Sequence, residues 1–168
     1  QPEIGQVFGL GVAGFLGSVI EIEAAAFPAA QKGKGVVRFN DTAGSMAKDS
    51  VFNAASVFRM LTGEELSDYD IHVNVVGGGN IDGPSAGAAV LLAIYSAVKQ
   101  VPLPQDVAVT GEVSIRGKIK PVGGIPEKLY GAKRAGIRRV YIPKDNLEST
   151  SGRDYGLEVI GMADVHEL

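Results

Sequence analysis

The sequence has no cysteine, and only two of its 168 residues are histidine. The absence of cysteine excludes disulfides, zinc sites built on cysteine and thiol nucleophiles. Histidine is the side chain that most often moves protons in enzymes, so its scarcity leaves few ordinary candidates for a general base. The sequence also has no run of the 18 or so apolar residues that a membrane-spanning helix needs.

What the chain does contain is the composition of a globular protein. It is 45% hydrophobic and 21% charged, and these values are ordinary for one folded domain, here residues 1–168. A net charge of -3 argues against nucleic acid as a partner. The chain begins at Gln1 rather than Met, so we expect it to be cut from a longer polypeptide with further domains.

Strand-like and helix-like patterns follow one another irregularly. The glycine-rich stretch 13–17 joins two extended runs as a hairpin, and the apolar stretch 84–99 predicts a buried central helix. The other predicted elements are strands at 36–39, 71–76, 107–110, 139–142 and 157–160, a second hairpin over 112–122, helices over 45–63 and 126–136, and a polar loop over 145–154. This order predicts an α+β domain with a mixed sheet, hairpins and three to four helices.

Two short glycine motifs resemble nucleotide sites, but their context excludes both. Gly9, Gly11 and Gly14 spell G-x-G-x-x-G, yet residues 19–23 alternate like a strand, whereas the dinucleotide motif must open a helix. Gly117-Lys118 is followed by Ile119 rather than Ser or Thr, so it is not a P-loop. Neither of these two motifs therefore predicts a nucleotide site.

The stretch from residue 77 to residue 91 is the most informative one. Three glycines at residues 77–79 are followed by Pro84 and Ser85, where the apolar helix begins. Proline suits the first helical position, so Ser85 falls in the first turn, among backbone N–H groups that have no partner within the helix. Those donors and the helix dipole favour an oxyanion or a phosphate beside Ser85.

The letters of residues 83–87 also fit G-x-S-x-G, the nucleophile elbow of the α/β-hydrolases. That elbow needs a strand directly before the serine and a histidine downstream. A loop precedes Ser85, and the downstream histidine, His166, lies three residues from the end. His72 lies in a predicted strand and has no obvious third member for a Ser-His arrangement. A lysine is therefore the more plausible base for an activated serine.

A lysine can act as a base only if its amine loses its proton near neutral pH. Its pKa would have to fall from about 10.4 to about 7 or 8, which corresponds to roughly 4 kcal/mol in favour of the neutral form. Desolvation in an apolar site can supply that preference. Composition alone does not say which lysine is involved.

Three ordered motifs resemble the proteolytic domain of Lon proteases. They are DGPSAG at residues 82–87, TGE at residues 110–112 and PVGGIPEK at residues 121–128. The resemblance covers nearly the whole chain, and its most specific part runs from residue 70 to residue 143. It implies the fold of the Lon proteolytic domain and the activity of a serine endopeptidase with a Ser-Lys dyad.

The resemblance also implies a role for individual residues. Ser85 corresponds to the nucleophile and Lys128 to the general base. Thr110 corresponds to the threonine whose hydroxyl positions the lysine amine. Asp82 matches an aspartate that influences whether the loop is open for substrate, although capping the helix at Pro84 explains it equally well. Glu112 and His72 lie near these motifs without an assigned role.

The family resemblance carries expectations about partners. The substrates would be unfolded polypeptides, cleaved through an acyl-enzyme, and the domain itself would need no cofactor or metal. ATP and Mg²⁺ would belong to an ATPase module outside this chain, the full protein would be a homo-hexamer, and its location would be cytoplasmic, with membrane attachment through a missing segment left open. The loop at residues 76–80 is more similar to the B-type branch of the family.

Two other classes of function remain as alternatives. A small-molecule kinase of related fold would use the same helix N-terminus to bind a nucleotide. A non-catalytic binding module would carry an inert serine at position 85. Labelling with a serine-directed phosphonate or boronate distinguishes the last class from a peptidase.

Overall fold

A mixed sheet of seven strands forms the centre of the chain in the computed structural model, which describes residues 1–40, 47–76, 83–150 and 154–167. Three α-helices lie within these ranges: α1 (Ala47–Thr62), α2 (Gly87–Lys99) and α3 (Ile125–Arg134). The strands are β1 (Glu3–Ile4), β2 (Gln6–Ala13), β3 (Leu16–Pro28), β4 (Val37–Phe39), β5 (Tyr69–Val76), β6 (Pro102–Leu103), β7 (Val107–Val109), β8 (Glu112–Val113), β9 (Ile119–Lys120), β10 (Arg139–Pro143) and β11 (Glu158–Met162).

The large sheet combines antiparallel and parallel pairs. Its order is β11-β10-β7-β2-β3-β5-β4, in which β2–β3 and β3–β5 are antiparallel and the other four pairs are parallel. The two predicted hairpins are β2–β3 and the small pair β8–β9. These findings confirm the predicted α+β class and the mixed sheet.

Both faces of the sheet are covered by helices. Side chains of neighbouring strand residues point to opposite faces, so Val109 packs with the cluster that holds α1 and α2, while Ala108 packs with the cluster that holds α3. On β5, Ile71, Val73 and Val75 are buried and the residues between them are exposed, as their alternation predicts. The helix α3 therefore lies on the face opposite α1 and α2.

The helix α2 is buried on most sides, as its sequence predicts, but it does not begin as an α-helix at Pro84. Residues Gly83–Ala86 form a 3₁₀ turn, and the α-helix begins at Gly87. Ser85 thus lies in the tighter turn that leads into the helix. Within the described residues, no helix combines the length and the apolar character that crossing a membrane requires.

The predicted polar loop over 145–154 is wrong for its first part, because Lys144–Thr150 is a 3₁₀ helix. Side-chain hydroxyls stabilise it from within: Ser149 Oγ donates to the Asn146 carbonyl at 2.6 Å, and Thr150 Oγ1 donates to the Leu147 carbonyl at 2.7 Å. Leu147 packs against the core on the α3 side. Hydroxyl caps and the partly buried contact of Leu147 therefore order a segment whose composition is mostly polar.

Candidate active site

A cavity of about 440 Å³ opens where the tip of the β2–β3 hairpin, the turn before α2 and the start of α3 meet. It brings Ser85 and Lys128 into one site. Its lining residues are Val12, Gly14, Phe15, Pro84, Ser85, Glu112, Pro121, Val122, Gly123, Gly124, Glu127 and Lys128. Residues far apart in sequence therefore share one small space.

Ser85 is held in place by the main chain of the segment after β7. The Gly111 N–H donates to the Ser85 carbonyl at 3.0 Å, and the Ala88 N–H donates to the Gly111 carbonyl at 2.9 Å. A methyl group on Gly87 would lie 3.2 Å from the Val113 nitrogen, so the small residue permits this close approach. Ser85 is 8% exposed, and its turn is fixed against residues 110–113.

Lys128 lies in the first turn of α3, and its side chain is only 2% exposed. Its backbone N–H donates to the Gly124 carbonyl at 2.9 Å, and its Nζ donates to Thr110 Oγ1 at 3.2 Å. Thr110 is fully buried, and its own N–H donates to the Tyr141 carbonyl at 3.0 Å. Burial removes water from the amine, and desolvation of this kind penalises the charged form of a lysine.

Two glycines set how closely α3 approaches the sheet. A methyl group on Gly17 would lie 1.9 Å from the Glu127 carbonyl oxygen and 2.9 Å from Lys128 Cα, and one on Gly131 would lie 2.5 Å from the Gly17 carbonyl oxygen. Arg134 adds a hydrogen bond of 2.8 Å from its guanidinium to that same carbonyl. The backbone of β3 therefore touches the backbone of α3 next to the lysine.

The structure brings together three of the four residues that the resemblance identifies. Ser85, Lys128 and Thr110 lie at one site, with Thr110 joined to the lysine directly and to the serine turn through Gly111. Asp82 lies outside the described residues, as do the glycines at 77–79, so its role stays a prediction. Glu112 is half-buried and lines the cavity.

Neither histidine lines this cavity. His72 is exposed on β5, where its ring meets the edge of Phe27 with ring centroids 6.4 Å apart. His166 is exposed, and its backbone N–H donates to Asp164 Oδ1 at 3.0 Å while its ring contacts the same oxygen at 2.6 Å. The backbone hydrogen bond first, and then the ring contact, lower the pKa of Asp164 to about 2. The lining of the described site therefore gives a Ser-His arrangement no support.

Sequence reasoning missed Phe15, which lines the cavity from the hairpin tip. The glycine-rich pattern of residues 13–17 predicts only the turn of a hairpin. A signal was available, because hairpin turns usually carry small or polar residues, and a phenylalanine beside a glycine there has no local structural reason. Among the described residues, no group of three or more His, Asp or Glu side chains is arranged to hold a metal ion.

Comparison with known proteins identifies the family of this site. Residues 1–153 match the family model described as the Lon protease (S16) C-terminal proteolytic domain. The chain is 39% identical over 181 residues to Lon protease 2 of Bacillus subtilis, covering 100% of this chain and 33% of that protein. It is 41% identical over 146 residues to the archaeal Lon protease of Pyrococcus abyssi, covering 86% of this chain and 15% of that protein. The archaeal Lon protease of Thermococcus kodakarensis is 42% identical over 146 residues, with coverages of 86% and 23%.

Proposed function

Because the chain belongs to the family of Lon protease (S16) proteolytic domains, which makes it a serine endopeptidase domain of the Lon type, we propose that Ser85 is its nucleophile and Lys128 its general base. The observation that carries this proposal is the shared cavity: both side chains line it and both are buried. A serine and a buried lysine that line the same cavity support the pairing of nucleophile and base that a Ser-Lys mechanism requires.

The proposed reaction is acyl transfer to the serine oxygen and then to water. Ser85 Oγ attacks the carbonyl carbon of the peptide bond while the neutral Lys128 amine takes the hydroxyl proton. The ammonium then gives that proton to the leaving amine as the C–N bond breaks. Water attacks the acyl ester, Lys128 accepts its proton, and the proton returns to Ser85 Oγ as the carboxylic acid product leaves.

Backbone N–H groups of the turn around Ser85 are the proposed donors to the oxyanion. Preorganised donors of this kind are among the strongest contributors to acyl transfer, at about 3 to 4 kcal/mol each. The Ala88 N–H already donates to the Gly111 carbonyl, so the donors belong to residues earlier in the turn.

The charges around the cavity favour a peptidase over a nucleotide-binding protein of related fold. Glu112 and Glu127 line the cavity together with Lys128, so carboxylates outnumber cations among its described lining residues. Phosphate groups carry negative charge and would be repelled by these carboxylates at close range. A neutral peptide carbonyl meets no such penalty.

Labelling of the serine tests the proposed nucleophile directly. We expect a peptidyl phosphonate or boronate to modify this protein at a single site, with mass spectrometry locating the adduct on the peptide that contains Ser85. Exposed Ser149 serves as the internal control because its hydroxyl donates to the Asn146 carbonyl and it is not among the residues that line the described cavity. An unlabelled Ser85 in the folded protein would favour the non-catalytic binding module.

Thr110 is proposed as a positioning residue for the lysine amine. Thr110→Val keeps the shape of the side chain but removes the oxygen that accepts the 3.2 Å hydrogen bond from Lys128. We expect kcat for peptide cleavage to fall by roughly 10- to 100-fold and the acidic limb of its pH profile to move, since general-base catalysis depends on the placement and the protonation state of the base. Thr110→Ser retains the hydroxyl and should recover most of the rate. An unchanged kcat and pH profile in a folded Thr110→Val variant would exclude this role.

The remaining family expectations are proposals about a larger protein. The chain spans a third or less of the length of the relatives described above. We therefore propose that residues 1–168 form one proteolytic domain of a longer, cytoplasmic protein, in which an ATPase module binds ATP and Mg²⁺ and supplies unfolded polypeptides. Assembly of the full protein as a homo-hexamer is part of the same proposal. We also expect this domain not to bind nucleic acid, because its net charge is -3.

A further inference from the structure

The tip of the β2–β3 hairpin exposes two large apolar side chains next to each other. Phe15 is 95% exposed and Leu16 is 63% exposed. A fully exposed phenyl ring gains nothing for folding, since the stabilisation from an aromatic side chain comes from removing its surface from water. The ring therefore contributes to something other than the stability of this fold.

The two side chains differ in their relation to the cavity. Phe15 and its neighbour Gly14 line the cavity that contains Ser85 and Lys128, whereas Leu16 does not. The ring thus stands at the open rim, where a polypeptide must pass to reach the serine. Leu16 offers a matched apolar side chain on the same turn but outside the cavity.

The hairpin fixes the backbone of the Phe15 turn in relation to α3, which carries Lys128. Ala13 pairs with Leu16 in the antiparallel register, and Gly14 occupies the turn with a φ of 64°, a conformation that suits glycine. One residue further on, Gly17 touches the Glu127 main chain and accepts a hydrogen bond from Arg134. A preorganised contact of this kind loses little freedom when a substrate binds.

The rest of the lining gives the site a defined preference. Apolar groups on the wall, Val12, Pro84 and Val122 among them, lie close to two carboxylates, Glu112 and Glu127. Such a site accepts an apolar side chain and disfavours an acidic one, because like charges repel. The phenyl ring extends the apolar wall outwards.

We propose that Phe15 is a specificity-determining residue, whose ring packs against an apolar side chain of the polypeptide substrate close to the bond that is cleaved. The proposal rests on the function proposed above, in which Ser85 cleaves that bond. It adds a preference for apolar substrate side chains, which Ser85 and Lys128 do not themselves supply. A single methylene in a hydrophobic pocket discriminates between substrates by roughly 10- to 200-fold, so an apolar contact of this size is large enough to set a preference.

The test compares peptides that differ at one position in the intact protein and in single variants. Each peptide carries leucine, serine or glutamate in turn at the three positions on either side of the cleaved bond. With Phe15→Ala, we expect kcat/KM for the best leucine peptide to fall by roughly 10- to 100-fold, mainly through KM, while the serine peptides change by less than about threefold. Phe15→Leu should restore part of the preference, and Leu16→Ala should leave it unchanged.

Three outcomes would overturn the proposal. The first is a Phe15→Ala variant that keeps the ratio of leucine to serine peptides. The second is an equal loss of kcat/KM for all peptides together with a lower oligomeric mass in sedimentation. That result would show that the hairpin tip forms a contact between copies of the chain. The third is a wild-type Ser85 that neither cleaves peptide nor reacts with a small boronate, which would remove the proposed function as well. Unaltered boronate labelling in Phe15→Ala separates a lost substrate contact from a damaged site.

Discussion

Replacing Ser85 by alanine is expected to lower kcat for hydrolysis of an unstructured peptide by at least about 10³-fold, and Lys128→Met should do the same. Removal of a nucleophile or its base typically costs three to six orders of magnitude, and the residual rate comes from substrate binding and oxyanion donors. Methionine is chosen because its flexible apolar side chain fills much of the space of the buried lysine stem without bringing an amine.

The double variant provides a sharper test than either single one. Residues that act as a unit lose their effect together, so Ser85→Ala with Lys128→Met should be no slower than the slower single variant. If the two residues acted independently, the fold-reductions in kcat of the single variants would multiply in the double variant. Lys133→Ala is the matched control on α3, since Lys133 is exposed and donates to the Gly156 carbonyl away from the cavity. Near-normal kcat in either folded single variant would contradict the assignment.

Replacing Gly131 by alanine is expected to destabilise the fold by about 3 kcal/mol or more. The prediction opposes helix propensity, which favours alanine over glycine within a helix by about 1 kcal/mol. Packing should decide the sign of the change in the free energy of unfolding. The added methyl group would lie 2.5 Å from the main chain of Gly17, and neither backbone can move away without loss of packing. Gly17→Ala meets the Glu127 carbonyl at 1.9 Å and should be at least as severe.

Urea unfolding followed by circular dichroism measures this effect. Gly123→Ala is the control for stability, because a methyl group there has open space around it and lies just before the same helix. A Gly131→Ala variant as stable as the wild type would show that α3 approaches β3 less closely than described. If α3 shifts instead of unfolding, Lys128 shifts with it, so kcat should fall even in the folded fraction.

The elements of the fold could be predicted from the sequence where the buried face of an element sets its pattern of apolar residues. The alternation on β5 and the continuous apolar surface of α2 are local signals, and both elements form, although the α-helix begins at Gly87 rather than at Pro84. The 3₁₀ turn at Gly83–Ala86 could not be predicted in this way. Its attachment to Gly111 is a contact between residues distant in sequence, and only the folded chain brings the two together.

The site was predictable only through the resemblance of its motifs. Taken alone, Lys128 has the pattern of a solvated lysine on the first turn of a helix, yet it is almost completely buried. Its burial depends on Gly17 and Gly131, which let α3 come close to β3, and on Thr110, which lies 18 positions earlier in the chain. Periodicity does not report such distant pairings, and it gave no role to the exposed ring of Phe15.

The segment that follows β7 has a mechanical consequence. One short stretch of main chain holds the serine turn through Gly111 and the lysine through the Thr110 hydroxyl, while the Thr110 N–H is anchored to the Tyr141 carbonyl of β10. A displacement of β10 would therefore move Ser85 and Lys128 in the same direction. Such a displacement would leave the distance between Ser85 and Lys128 unchanged while it alters the position of both residues relative to a bound polypeptide.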